Sequence, residues 1–165
     1  MLNIIILMES SKYNYHITVS NMIHSVLQAD KNIISILDLN SFKHDYECLH
    51  KIMEVQPNVL ITLDLAGFGI RTQTGETALN MLPTKNLNLI WGNKLEYASF
   101  LNKKISLSML FYDVAGIDNH LSQIYPNLLY YKALDKLPVA ELNLPQTIKN
   151  FQHIWTDFVR EALLS

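Results

Sequence analysis

The chain opens on a short, continuous apolar run, Leu2 to Met8, rich in isoleucine. Such a run, apolar without alternation, is the pattern of a strand buried on both faces, and the polar segment Glu9 to Asn14 ends it. Val19, Met22, Ile23, Val26 and Leu27 then recur at helical spacing, and Asp30, Lys31 and Asn32 close that helix. The same unit follows again. Asn32 to Leu39 reads as a strand, and Phe42, Tyr46, Leu49, Ile52 and Met53 form the apolar face of a helix behind Ser41, a residue suited to N-capping.

Pro57 and Asn58 break the second helix, and Val59 to Leu65 is a third strand, central by its hydrophobicity, with Asp64 at its polar end. Ala66 to Thr74 reads as a loop, and a short helix from about Gly75 to Leu82 is stopped by Pro83. Leu87 to Trp91 is a fourth strand, Asn93 can cap a helix over Lys94 to Asn102, Ile105 to Val114 is a fifth strand, and Leu128 to Ala133 is a candidate sixth. Ile148, Phe151, Trp155, Phe158, Val159 and Ala162 mark one face of a last helix from about Gln146 to Leu164.

Strands alternating with helices at these lengths predict parallel strands joined by right-handed crossovers, which place helices on both faces. The expected fold is α/β: a doubly wound, mostly parallel sheet of five or six strands, Rossmann-like or flavodoxin-like. No repeat of 20 to 50 residues is present, and Leu137 to Pro145 reads as a connection, so residues 1–165 are expected to form a single domain.

Composition narrows the classes of partner. Thirteen Lys and Arg against fifteen Asp and Glu leave a formal charge of −2, with no basic stripe to neutralise a phosphate backbone, so nucleic acid is not an expected partner. Cys48 is the only cysteine, which excludes an internal disulfide. The start MLNIIILMES lacks the basic flank and small-residue cleavage site of a signal peptide, and no apolar run approaches the roughly 20 residues of a membrane span. The expectation is a cytoplasmic protein without a membrane span.

In a doubly wound sheet, ligands bind outside the carboxyl ends of the strands at the switch point in strand order. Those ends collect Glu9 and Ser10 with Ser11 after the first strand, Asp64 and Arg71 to Thr74 after the third, Asn93 after the fourth and Asp113 after the fifth. Acids and hydroxyls there could hold a cation or a sugar, and Arg71 could clamp a phosphate or carboxylate through its planar fork. The competing reading is that these residues cap helices or face water. Gly67 and Gly69 form a G-x-G, yet Thr72 stands where a dinucleotide fingerprint has its third glycine, and the motif follows the third strand rather than the first. No cofactor is therefore expected. A small anion would be held by loop amides around Gly67, Gly69 and Thr72 and by the helix start near Gly75.

His44 and Cys48 lie four apart with His50 nearby, but no further ligand closes the set, and His16, His24, His120 and His153 are scattered, so no metal site is expected. Cys48 sits mid-helix, away from the crevice where a base and an oxyanion hole would be built, so no catalytic nucleophile is assigned. Phe111, Tyr112, Tyr125, Tyr130 and Tyr131 could stack on a sugar or base, or pack as core.

Two resemblances bear on function. PNVLITLDLAGFGI resembles the third strand of response-regulator receiver domains, with Asp64 at the phosphoacceptor position and Gly67 in the turn. Receivers carry an acidic pair after the first strand, a small hydroxyl after the fourth and a lysine after the fifth, where this chain has Glu9 followed by Ser10, Gly92 and Asp113; Lys132 comes only later. More of the chain, through VQPNVLITLDLAGFGIRT, LNLIWGN and the order of elements, is similar to the amino-terminal Rossmann-like half of two-domain GT-B glycosyltransferases and their bacterial relatives. In that family the nucleotide sugar is bound mainly by the carboxyl-terminal half. The resemblance thus implies an acceptor-side or partner-dependent module, non-catalytic alone, binding a small polar or anionic ligand at the carboxyl ends of the first and third strands. The alternative is a degenerate receiver-like domain that contacts a partner protein through a helical face.

Overall fold

The computed structural model describes residues 1–90, 106–110 and 152–164. The strands β1 (Asn3–Met8), β2 (Ile33–Asp38), β3 (Val59–Leu63) and β4 (Lys85–Ile90) lie in the order β2-β1-β3-β4, and every pairing is parallel. A further segment, β5 (Ser106–Leu110), pairs in parallel with β4. β1 and β3 carry strands on both sides, and their side chains are buried on both faces, with Ile4 to Leu7 and Ile61 and Leu63 wholly enclosed. That is why neither strand alternates in sequence.

Helices α1 (His16–Ala29), α2 (Asp45–Val55) and α3 (Gln152–Leu164) supply the covering layers. Val19, Ile23 and Leu27 of α1, spaced by four, pack with Ile4, Ile6, Ile61, Leu63, Leu87, Leu89 and Val159 of α3 on one face of the sheet. Arg160 Nε of α3 reaches Asp30 Oδ2 just past the end of α1 at 3.1 Å. On the other face Cys48 and Ile52 of α2 pack with Ile5, Leu7, Leu60, Phe68 and Leu79.

The α2 face differs from the one expected. Tyr46 and Met53 are 58% and 59% exposed, and the buried residues are Cys48 and Ile52, with Leu49 and Val55 against them. The helix begins at Asp45 rather than behind Ser41, which belongs to a 3-10 turn, Leu39–Ser41, capped by Asp38. Tyr46 instead stacks with His44 at 5.3 Å and meets His50 edge-on. The helix over Gly75 to Leu82 is also absent. Arg71 and Thr77 form an antiparallel bridge, so residues 70–78 make a small hairpin, and only Ala78–Met81 takes a 3-10 turn.

β4 starts at Lys85, two residues before the predicted Leu87, and alternates polar and apolar residues from Asn86 to Leu89. Leu87 and Leu89 enter the α1 side, whereas Asn86 and Asn88, at most 1% exposed, register beside Leu60 and Thr62 on the other. Thr62 donates its hydroxyl to Asn88 Oδ1 at 2.5 Å, and the Asn86 amide is buried without a hydrogen-bond partner among the described residues. The predicted helix Lys94 to Asn102, the sixth strand Leu128 to Ala133, the connection Leu137 to Pro145, Trp91, Lys132 and the aromatic group Phe111, Tyr112, Tyr125, Tyr130 and Tyr131 lie outside the described residues.

Burial, with the negative charge of Asp45 adding to it, pushes the Cys48 thiol up to about 11. A thiol held protonated is a poor nucleophile. Folded protein at about pH 8 is therefore expected to resist iodoacetamide, with labelling appearing only as denaturant unfolds the chain. Cys48→Ser should cost about 1 to 3 kcal/mol through the buried hydroxyl. Rapid alkylation of the native state would contradict this placement.

Candidate functional site

β1 leaves its neighbours in opposite directions, to β2 on one side and β3 on the other, so the switch point in strand order lies at the carboxyl ends of β1 and β3. A cavity of about 210 Å3 opens there. Its wall comes from three places: Glu9 and Lys12 after β1, Leu39 after β2 with Asp45 at the start of α2, and Asp64, Leu65, Gly67, Gly69 and Ile70 after β3.

Behind this wall the segment after β1 is fastened by side chains. Ser10 donates through both its backbone N–H and its hydroxyl to the Asp38 carboxylate at the end of β2, and the Ser11 N–H donates to Asn40 Oδ1 at 2.8 Å. Burial works to raise the Asp38 pKa, but the Ser10 hydroxyl and N–H, the Asn40 N–H and the positive charge His16 carries when protonated bring it below the ordinary carboxylate value. This stabilisation is present above the ordinary range and is lost as pH falls through the lowered value.

The most enclosed acid of the wall is Asp64, whose side chain is 1% exposed. Its Oδ2 accepts from the Tyr15 hydroxyl at 2.5 Å and from His16 Nε2 at 2.9 Å. The other ring nitrogen of His16, Nδ1, lies 3.0 Å from the Glu9 backbone N. An N–H can only donate, so Nδ1 is the acceptor, and the ring is the neutral tautomer with its hydrogen on Nε2. Tyr13 stacks on that ring at 4.6 Å, 23° from parallel, and Tyr15 meets it edge-on. Both His16 nitrogens are occupied, so the ring positions its neighbours and does not serve as an open general base.

The backbone is unusual at the same point. Asp64 and Leu65 have φ of 49° and 58°, left-handed values that non-glycine residues rarely hold in succession. The double turn swings the carboxylate back under β1 toward Tyr15 and His16, and the Asp64 N–H is held by Leu89 O at 2.8 Å.

Of the residues expected at the site, Glu9, Asp64, Gly67 and Gly69 line the cavity. Ser10, Arg71 and Thr72 are not in its wall. Ser10 is engaged with Asp38, Arg71 Nη1 donates to Thr77 Oγ1 at 3.1 Å within its own hairpin, and Thr72 closes the turn onto Glu76. With no α-helix starting near Gly75, the helix N-terminus expected to attract an anion is missing too. Asn93 and Asp113 lie outside the described residues. Lys12, Asp45, Tyr15, His16 and Asp38 were not singled out by sequence as site residues. Local periodicity offered one clue, the polar and aromatic run from Glu9 to His16 directly after a strand end. Among the described residues no group of three or more His, Cys, Asp or Glu could hold a metal ion, and no helix is long and apolar enough to cross a membrane. No protein-family model, no curated protein and no solved structure matches the chain.

Proposed function

We propose that this is a cytoplasmic, single-domain, doubly wound Rossmann-like module of five or six strands that binds a small polar ligand at the carboxyl ends of β1 and β3 and depends on a partner for any catalysis. The observation that carries this reading is the cavity at the switch point, walled by Glu9, Asp45 and Asp64 with Lys12 as its one basic residue among the described ones. Three acids against one lysine favour a neutral or cationic ligand over the anionic one that sequence left open. About 210 Å3 is below the roughly 300 to 1,000 Å3 of sites that enclose a drug-sized molecule. A ligand of monosaccharide size fits that limit, its hydroxyls donating to the carboxylates, and a whole nucleotide sugar does not. Such a ligand is in keeping with the acceptor side of a glycosyltransferase-like system. The receiver-like alternative shares the strand order, but an Asp64 enclosed by Tyr15 and His16 is poorly placed to accept a phosphoryl group.

The test is thermal unfolding of the full chain with D-glucose, D-mannose, glycerol, ethanolamine and inorganic phosphate. A ligand present at 100 times its Kd adds about 2.7 kcal/mol. A sugar or amine is expected to raise the melting temperature, phosphate is not, and Glu9→Gln with Asp45→Asn should remove the gain while leaving the free protein's melting close to wild type. Stabilisation by phosphate alone, or by a sugar in both wild type and the double variant, would place the site elsewhere.

A further inference from the structure

The crevice is backed by a residue that does not line it and yet holds two residues that do. His16 is fully enclosed, at 0% exposure. Through Nδ1 it accepts the backbone N–H of Glu9, and through Nε2 it donates to Asp64 Oδ2. These partners come from the loop after β1 and the loop after β3, the two sides of the switch point. We infer that His16 is the positioning residue of the crevice and its pH-sensitive latch: neutral, it ties the Glu9 N–H to Asp64, and protonated on Nδ1, it gives up the Glu9 bond.

The chemistry is that of a ring with one acceptor. A proton on Nδ1 turns the acceptor into a donor, and at 3.0 Å it then faces another donor, the Glu9 N–H. The Glu9 bond is lost. Glu9 O still accepts from the N–H groups of Lys12 and Tyr13, and Ser10 and Ser11 stay tied to Asp38 and Asn40, so the change is confined to Glu9 at the edge of the wall. The charged groups that face the ring are Asp64 after β3 and Asp38 at the end of β2, and Lys12 of the β1 loop lies over the Tyr13 ring stacked on it. Tyr13 and Tyr15, ahead of α1, contact the ring, and Tyr15 shares Asp64 Oδ2 with it. The Glu9 carboxylate lies on the same loop. Protonation thus exchanges one neutral hydrogen bond for a buried ion pair with Asp64, which leaves the Glu9 amide as the part that yields.

That a displaced Glu9 weakens ligand binding rests on the function proposed above, whereas the latch itself can be read from the protein alone. In the 15N-labelled full chain, His16 is expected to show Nε2–H with an unprotonated Nδ1 near pH 8, and its ring resonances are followed as the chain is acidified to pH 5, across the interval in which imidazole changes charge. The Glu9 amide resonance should move with the same midpoint, and its hydrogen exchange, corrected for the intrinsic pH effect, should accelerate roughly tenfold, equivalent to one net hydrogen bond. His16→Asn keeps an acceptor for Glu9 without a proton to gain, so its Glu9 amide should remain protected and indifferent to pH. His16→Gln, with a donor reaching for Asp64, should lose that protection. D-glucose affinity, measured alongside, is expected to fall about tenfold between the two pH values in wild type and to stay level in His16→Asn. A protonated Nδ1 near pH 8, a His16 that does not titrate in this interval, or a Glu9 amide unmoved while His16 titrates would overturn the latch, and the wild-type titration decides this even if a variant fails to fold. Absence of glucose binding at either pH would count against the ligand reading alone.

Discussion

Asp64→Ala is expected to cost about 3 to 5 kcal/mol, because it orphans two buried donors and leaves alanine in left-handed backbone. The carboxylate is what the Tyr15 hydroxyl and His16 Nε2–H donate to, and both donors are buried. Each orphaned donor costs about 1 to 3 kcal/mol, and alanine at φ 49° adds backbone strain of roughly 1 kcal/mol or more. Asp64→Asn separates these contributions, since asparagine tolerates the left-handed region and retains one acceptor oxygen. It should cost less, about 1 to 3 kcal/mol. Urea unfolding of the two variants, with Tyr15→Phe and the Asp64→Asn/Tyr15→Phe double variant completing a cycle, measures the coupling, expected at about 0.5 to 3 kcal/mol for groups in one network. A loss below about 1 kcal/mol for Asp64→Ala would mean that the buried cluster does not hold the two loops together.

Gly67→Ala should be nearly as damaging, by a different route. The residue has φ of 84°, where a Cβ is strained, and an added Cβ would stand 2.7 Å from Leu7 Cδ2 and 3.0 Å from Leu79 Cδ1. Leu7 belongs to the central strand and is wholly buried, so it has little room to yield. Backbone strain of about 1 to 2 kcal/mol and overpacking of about 1 to 3 kcal/mol together predict a loss of roughly 2 to 5 kcal/mol. Leu79→Ala in the same chain should recover only part of the overpacking, because the Leu7 contact and the φ remain. Gly75 is the control. It has φ of 83° with nothing within 4 Å of an added Cβ, so Gly75→Ala should show the backbone cost alone. Equal melting temperatures for the two alanine variants would remove the packing argument for Gly67.

Gly67 is therefore required by the close approach of its backbone to Leu7 and Leu79, although it also lines the cavity. Its role in the G-x-G as a turn former was legible from sequence, since glycine is the residue that takes positive φ without a steric penalty. The identity of the side chain it must avoid was not. Leu7 lies 60 positions earlier and comes near only because β1 pairs with β3.

The run of apolar residues by itself determined that Asn3–Met8 and Val59–Leu63 are interior parallel strands, because a strand covered on both faces has no polar alternate. The spacing of Val19, Ile23 and Leu27 likewise determined which side of α1 packs, because one stripe suffices to bury a helix. Spacing alone misjudged part of α2: Leu49 and Ile52 face the sheet as expected, but Tyr46 and Met53 fit the same stripe and are exposed while Cys48 is buried, and only contact with the sheet separates them. It also gave no warning that Asn86 and Asn88 are buried, since an Asn-Leu-Asn-Leu alternation normally marks a half-exposed strand. The site shows the same division. Glu9 and Asp64 could be placed at strand ends from the order of elements, whereas the joining of Asp64 to Tyr15 and His16, 49 and 48 residues away, required the tertiary structure. A hydrogen bond between side chains on separate loops depends on which strands are neighbours and how the backbone turns at φ 49°, and neither is encoded in the local periodicity of polar and apolar residues.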